Sequence, residues 1–390
     1  MQPYNDPMKA TLALILIAFL PSQAFCFKDV SLTGYFREMP IYWQPPSYFS
    51  SQDYRLDNLF HARQNLRWYP SRPLTLGLDL KTRLIIGQSA QELSGLSNSF
   101  YQNVTYFDWT RAFVHEKDTY LISDIDRAWL DFSKGTLQIT AGRQRIAWGT
   151  NLVWNTIDIF NPSSPFDFDN IEKPGTDAAR AQFYLGPVSE IDIAVAPQRE
   201  ADRTLAAARL KFNKWQYDWH IIAGRRHRET LLGGAWAGSI LGGGFRGELL
   251  YVISHSNLPG SNDYLNASIS GDYTFKSSLY FQMATLYNGR GTTGKAGGIH
   301  LIESAQRGDL SPSKMSLFGE VARDISPLVK IDLSGILNPY DKSRYFGPSL
   351  DWSATADLDV TFVALIFGGG DMTEFGNDGK IFLLRIQYSF

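Results

Sequence analysis

The stretch Gly289-Arg290-Gly291-Thr292-Thr293-Gly294-Lys295-Ala296 comes within one residue of a phosphate-binding loop. Such a loop needs a hydroxyl after its lysine to hold magnesium, and a helix whose N-terminus faces the phosphates. Ala296 carries no hydroxyl and the residues beyond it signal no helix, so nucleotide chemistry is rejected. The six histidines are scattered, and Arg225-Arg226-His227-Arg228 reads as a basic strand end at a rim rather than a metal site. Serines, histidines and carboxylates abound, but no Gly-x-Ser-x-Gly elbow frames them. The single cysteine, Cys26, allows no internal disulfide, no cysteine zinc site and no CxxCH haem attachment. The sequence therefore predicts no catalytic residues, no metal and no cofactor: not an enzyme.

What remains is the chemistry of fixed charge. The densest segment is DIDRAWLDFSKGTLQITAGRQRIAWG, residues 124–149. Read as a hairpin about Lys134-Gly135, it pairs Phe132 with Leu137, Leu130 with Ile139 and Ala128 with Ala141 on one apolar face. Continued without interruption, that face would also carry Asp124, Asp126, Arg143 and Arg145. If it meets lipid, an arginine at mid-membrane costs roughly 2–4 kcal/mol. A β-bulge removes the conflict, and Gly142 is the expected place for it. Arg143 and Arg145 then turn inward, Ile146 and Trp148 turn outward, and Asp124, Asp126, Arg127 and Asp131 become inner-wall partners.

The elements that must position these charges are strands. In Leu74 to Ile86 the even positions are apolar except Thr82, while the odd ones include Asp79, Lys81 and Arg83. The same period of two predicts strands near 30–42, 55–69, 74–87, 120–133, 136–149, 177–186, 189–198, 203–213, 217–227, 235–241, 245–254, 263–275, 279–289, 314–326, 328–339, 345–357, 359–368 and 380–390. Tight turns alternate with long loops at 88–119, 150–176 and 290–313. Short turns at one end, long loops at the other and an even strand number describe an outer-membrane barrel of 16–18 strands, best counted as about 18. Aromatic content is 14% and formal net charge is −2, which gives nucleic-acid binding no electrostatic support.

The two ends of the chain agree. Lys9, an apolar run from Thr11 to Leu20 and a small residue at Ala24 read as a signal peptide over 1–24. Residues 25–390 then form one barrel domain. The last strand alternates Phe382, Leu384, Ile386, Tyr388 and Phe390 against polar neighbours. Closure pairs it with the first strand and leaves no open edge. Tyr388 and Phe390 are expected to serve as the insertion signal for the barrel-assembly machinery. The expected surroundings are the lipid bilayer of a bacterial outer membrane, with a homo-oligomer left open.

The polar parity lists the lumen: Arg63, Arg67, Asp79, Lys81, Arg83, Arg180, Arg209, Lys211, Arg246, Glu248 and Arg385 among others. The plain alternative is that these charges only solvate the interior. Residues 127–162, RAWLDFSKGTLQITAGRQRIAWGTNLVWNTIDIFNP, resemble a segment of uncharacterised porin-like bacterial outer-membrane proteins, which pair GRQRxxWG with WNxxDxFNP. AGSILGGGFRGELLYV, 237–252, is similar to another piece of that group. The resemblance implies a barrel in the outer membrane and says nothing about the solute carried. In trimeric general porins the third long-side loop folds into the barrel. Here that loop is 150–176, too apolar to stand in water. It is expected either to narrow the lumen, with Asp158, Asp167, Asp169 and Glu172 facing Arg143 and Arg145, or to cap the rim. The expected function is passive diffusion of small hydrophilic solutes. The alternatives are a sheath around a partner protein, such as a cytochrome or secretion component, and, least favoured, a barrel enzyme.

Overall fold

The computed structural model describes residues 29–45, 54–88, 90, 106–162, 173, 175–199, 204–256, 262–376 and 379–390. Residues 1–24 of the expected signal peptide, and Asp167, Asp169 and Glu172, lie outside the described residues. Among the described residues, nineteen strands form one antiparallel sheet. They are β1 (Val30–Gln44), β2 (Arg55–Ser71), β3 (Leu74–Gly87), β4 (Thr110–Glu116), β5 (Thr119–Lys134), β6 (Leu137–Gln144), β7 (Thr176–Tyr184), β8 (Glu190–Ala196), β9 (Leu205–Lys214) and β10 (Tyr217–Arg226). The rest are β11 (Glu229–Ile240), β12 (Gly243–Ser254), β13 (Tyr264–Thr274), β14 (Leu279–Asn288), β15 (Met315–Ser326), β16 (Val329–Leu337), β17 (Arg344–Ser353), β18 (Leu358–Gly368) and β19 (Lys380–Ser389). Eighteen of them close a transmembrane barrel; β4 is an inserted piece.

Closure is made by β1 on β19, with Tyr35 opposite Ser389 and Gln44 opposite Lys380. Beyond the strand end, Phe390 and Gly34 exchange two backbone hydrogen bonds of 2.9 Å. The Phe390 ring stacks on Phe36 with centroids 5.3 Å apart. Each backbone group in such a ring finds its partner inside the wall, which is what a bilayer demands. Outward residues form an apolar belt that includes Leu78, Leu130, Ile193, Leu249, Ile269 and Phe362, all exposed in the isolated chain. At the short-turn end Trp68, Tyr69, Trp215, Phe275, Trp352 and Tyr388 are exposed as well, an aromatic girdle suited to a membrane interface.

Several expectations are corrected by the register. The hairpin turn is Gly135-Thr136, so Phe132 faces Ile139 and Leu130 faces Ala141. Gly135 alone takes positive φ (62°), which suits the first central position of a type II′ turn. The slip of two residues preserves which side chains face out. β6 ends at Gln144, not near 149, and β11 begins at Glu229, well before 235. Gly233-Gly234 interrupt the alternation of β11 and hide its first half. β4 carries no clean alternation and sits inside a long loop, which is why it escaped reading. A helix, α1 (Ile299–Arg307), does follow the loop-like glycines. The Ala296 N–H is bound to Asp341 at 3.2 Å, and the missing hydroxyl still rules out a nucleotide loop.

The bulge lies elsewhere than expected. On β5, Arg127 pairs with Asp79 and Ile125 with Leu80, leaving Asp126 as the extra residue. One added residue switches parity, so Asp126 and Asp124 leave the lipid face, while Arg127 already faces inward opposite Asp79. β6 stays in register through Gly142, although Gly142 adopts a φ of +112°.

Candidate functional site

After Gln144 the chain leaves the wall and runs inside the barrel. Ile146, Trp148, Ile157, Ile159 and Phe160 are buried in one cluster with Ala194, Ala196, Leu205, Ala207, Ile222, Leu231, Ala235, Leu250 and Val252. Those wall residues alternate with outward Ile193, Val195, Ile221, Leu232, Leu249 and Tyr251, so they line the inner face. The small alanines of β8, β9 and β11 leave room that the larger loop side chains fill. Ile146 and Trp148 were expected to face lipid; they are inner core because the strand has already ended. Further along, Trp154 is buried with Ala284, Leu286, Ile336 and Phe375, its ring edge-on to Phe318 at 6.3 Å. Residues 145–160 thus cross the inner face from β7 to β16.

Polar anchors hold this crossing. The buried Glu248 carboxylate of β12 accepts the backbone N–H of Thr150, that of Asn151 at 2.9 Å and that of Ile157 at 3.1 Å. It also accepts the Thr150 hydroxyl at 3.1 Å. Asn151 donates to Ser268 and accepts from Ser270 at 2.6 Å. Asp192 of β8 accepts the Trp148 indole N–H at 2.7 Å and pairs with Arg180 at 2.7 Å and Arg209 at 3.2 Å. A buried segment outside the ladders must satisfy its N–H groups somewhere, and here wall carboxylates do it. Within the loop, Asp158 accepts the Trp148 N–H at 3.0 Å and the Lys173 ammonium at 2.9 Å. Asp158 is therefore occupied inside the loop rather than turned toward Arg143.

The inner wall of β2, β3 and β5 carries the densest charge. Arg63 bridges Asp126 at 2.7 Å and Asp79 at 3.1 Å. Arg67 also pairs with Asp79, and Lys81 lies 3.9 Å from Asp126. Arg127 lies 3.6 Å from Asp126 and donates to the Lys173 carbonyl at 3.0 Å, tying the returning loop to this wall. Arg63, Asp79, Lys81, Arg83 and Asp126 are buried. The Arg67 and Arg127 side chains keep 23% and 17% exposure, so they are the cations of this cluster that open space can reach. On β7 and β19 Arg180 and Arg385 are also partly exposed, Arg385 bonding Thr361 at 2.9 Å. Asp131 accepts from Thr140 and Gln138, both at 2.7 Å, toward the short-turn end.

Arg143 is enclosed. It pairs with Asp177 at 2.9 Å, donates to the carbonyls of Ile125 (2.9 Å) and Phe107, and lies 4.5 Å over the Trp109 ring. Asp124 stands 3.8 Å away. Arg143 and Asp177 share the parity of outward Ile139 and Ala179, and residues 107–109 cover them. Arg145 is exposed where the chain turns inward. Asp192 and Glu248 anchor the crossing and Asp177 holds Arg143; of the three only Glu248 stood in the expected lumen set. The alternation of EIDIAVA would also have placed Asp192 inside.

No family model matches the chain, and no curated protein sequence matches it. Solved structures do share its fold. OccAB3 of Acinetobacter baumannii is 9% identical, with a TM-score of 0.60, over 93% of this chain and 100% of that one. The outer membrane protein OprD from Pseudomonas aeruginosa is 10% identical at TM-score 0.55 over 95% of each chain. The outer membrane protein opdK from Pseudomonas aeruginosa is 10% identical at TM-score 0.55, over 92% of this chain and 98% of that one. At these identities the likeness is one of fold.

Proposed function

We propose that the protein is an outer-membrane channel through which small hydrophilic solutes diffuse passively. The observation that carries this reading is the inward crossing of residues 145–160, pinned by Glu248 and Asp192 across from a wall holding Arg63, Arg67, Lys81 and Arg127. A wide barrel needs a narrowing to discriminate, and fixed charges beside a narrow aqueous gap bias which ions pass. A loop docked inside takes up space that a partner protein would need, which weighs against a sheath. Export by the N-terminal signal and insertion through the terminal Tyr388–Phe390 signal complete the proposal.

Reconstitution into planar bilayers tests it. Discrete conductance steps are expected from the purified chain, with liposome swelling in small sugars or amino acids. A properly folded, heat-modifiable barrel that gives neither would overturn the channel and return the sheath.

A further inference from the structure

We propose that the outer rim of β9–β11 binds the phosphorylated headgroup of an outer-leaflet lipid. The proposal rests on the outer-membrane reading, which sets the long-loop end outward. Ile221 is 55% exposed and Ile222 only 1%, so Ile221, Ala223 and Arg225 point away from the lumen. Arg225 stands opposite outward Ala206 on β9 and Thr230 on β11. It therefore sits directly above the apolar belt, at the height where a lipid's acyl chains give way to its headgroup. The tight turn His227-Arg228 adds a second guanidinium.

Together Thr204, Ala206, Arg225, His227 and Arg228 line an open cavity of about 350 Å³. Arg226, of opposite parity, turns to Glu229 at 2.8 Å and to the inner Tyr264 at 3.4 Å. Glu229 is thereby used by an inward cation. Among the described residues neither Arg225 nor Arg228 has a carboxylate partner. Two exposed guanidiniums beside a hydroxyl match a phosphate monoester, which arginine binds through paired N–H donors. The apolar lower edge selects a lipid over a free anion, because Ile221 and Leu232 offer the acyl chains a surface that water-borne phosphate cannot use.

The full-length protein in non-ionic detergent would be titrated with diphosphorylated lipid A, with its dephosphorylated form and with inorganic phosphate. Bound lipid is read by native mass spectrometry and barrel melting by heat-modifiable migration. Saturable binding of the diphosphorylated lipid is expected, weakened on the order of tenfold or more in R225A/R228A and partly restored in R225K/R228K. Equal binding by wild type and R225A/R228A overturns the proposal, as does equal binding of the dephosphorylated lipid. Competition by inorganic phosphate at matching affinity overturns the lipid assignment in favour of a soluble anion. R225A/R228A should conduct like wild type in bilayers, so a failure of the channel reading shows in conductance and a failure of the lipid site shows in binding.

Discussion

Glu248 accepts a hydrogen bond from the Ile157 backbone N–H at 3.1 Å across 91 residues of sequence. With Thr150 and Asn151 on the same carboxylate, this one side chain fixes where the loop lies in the barrel. Hydrogen bonds to a charged group contribute about 1.5–3 kcal/mol each. Replacing Glu248 with Ala strands several buried N–H groups and should release the loop. The expected outcome in bilayer recordings is larger and noisier single-channel conductance, with easier proteolysis between 150 and 176. Glu248→Gln, which keeps an acceptor, should fall between. Unchanged conductance in Glu248→Ala would mean that the apolar cluster alone holds the loop.

Arg63 and Arg67 share Asp79 but should behave oppositely. Arg63 is buried, so removing it leaves Asp126 and Asp79 short of a partner at a cost of about 3–5 kcal/mol. Arg63→Ala should mainly lower the melting temperature. Arg67 and Arg127 reach open space, so Arg67→Ala/Arg127→Ala should shift the reversal potential toward cations, while Arg63 stays in place to pair with Asp79 and Asp126. Salt should shrink that shift, since screening tightens from ~10 Å at 0.1 M to ~3 Å at 1 M. Reversal potentials measured at both salt concentrations decide the matter.

Arg143 has its guanidinium spent on Asp177, two carbonyls and the Trp109 face. Arg143→Ala should destabilise the barrel by about 3–5 kcal/mol through the buried Asp177 it abandons. Ion selectivity should stay where it was. A changed reversal potential with normal stability would place Arg143 on the conducting path instead.

Phe390 closes the seam by its two hydrogen bonds to Gly34 and its stacking on Phe36. Deleting it should lower the level of heat-modifiable barrel in outer-membrane fractions several-fold while export continues. Removal of Phe36 alone, by Phe36→Ala, should weaken the seam but leave insertion intact. Equal loss in both variants would assign the residue a closing role and no part in recognition.

The barrel was legible because strand alternation is a local property. Each run such as Leu74–Ile86 declares its two faces without reference to any distant residue, and turns punctuate the runs. The need for a parity switch near Asp126 was legible too, since lipid does not tolerate that charge, whereas Arg143 keeps its outward parity and is covered by residues 107–109 instead. The place of the switch was not. A bulge goes where both neighbouring ladders tolerate it, and β3 decides that for Asp126. The apolarity of residues 150–176 announced a buried loop, but not its bed. Ala194, Ala196, Ala207 and Ala235 look neutral on a wet parity and become a core only when Trp148 and Ile157 lie on them. By spacing Arg143 fell on the lipid face and was expected to reach the pore through a bulge at Gly142; it is instead enclosed because Asp177 and Phe107, far off in sequence, meet it in space. Alternation thus determined strands, faces and closure, while partner choice for each charge came from tertiary contacts, because hydrogen bonds and ion pairs act over a few ångströms that sequence distance does not measure.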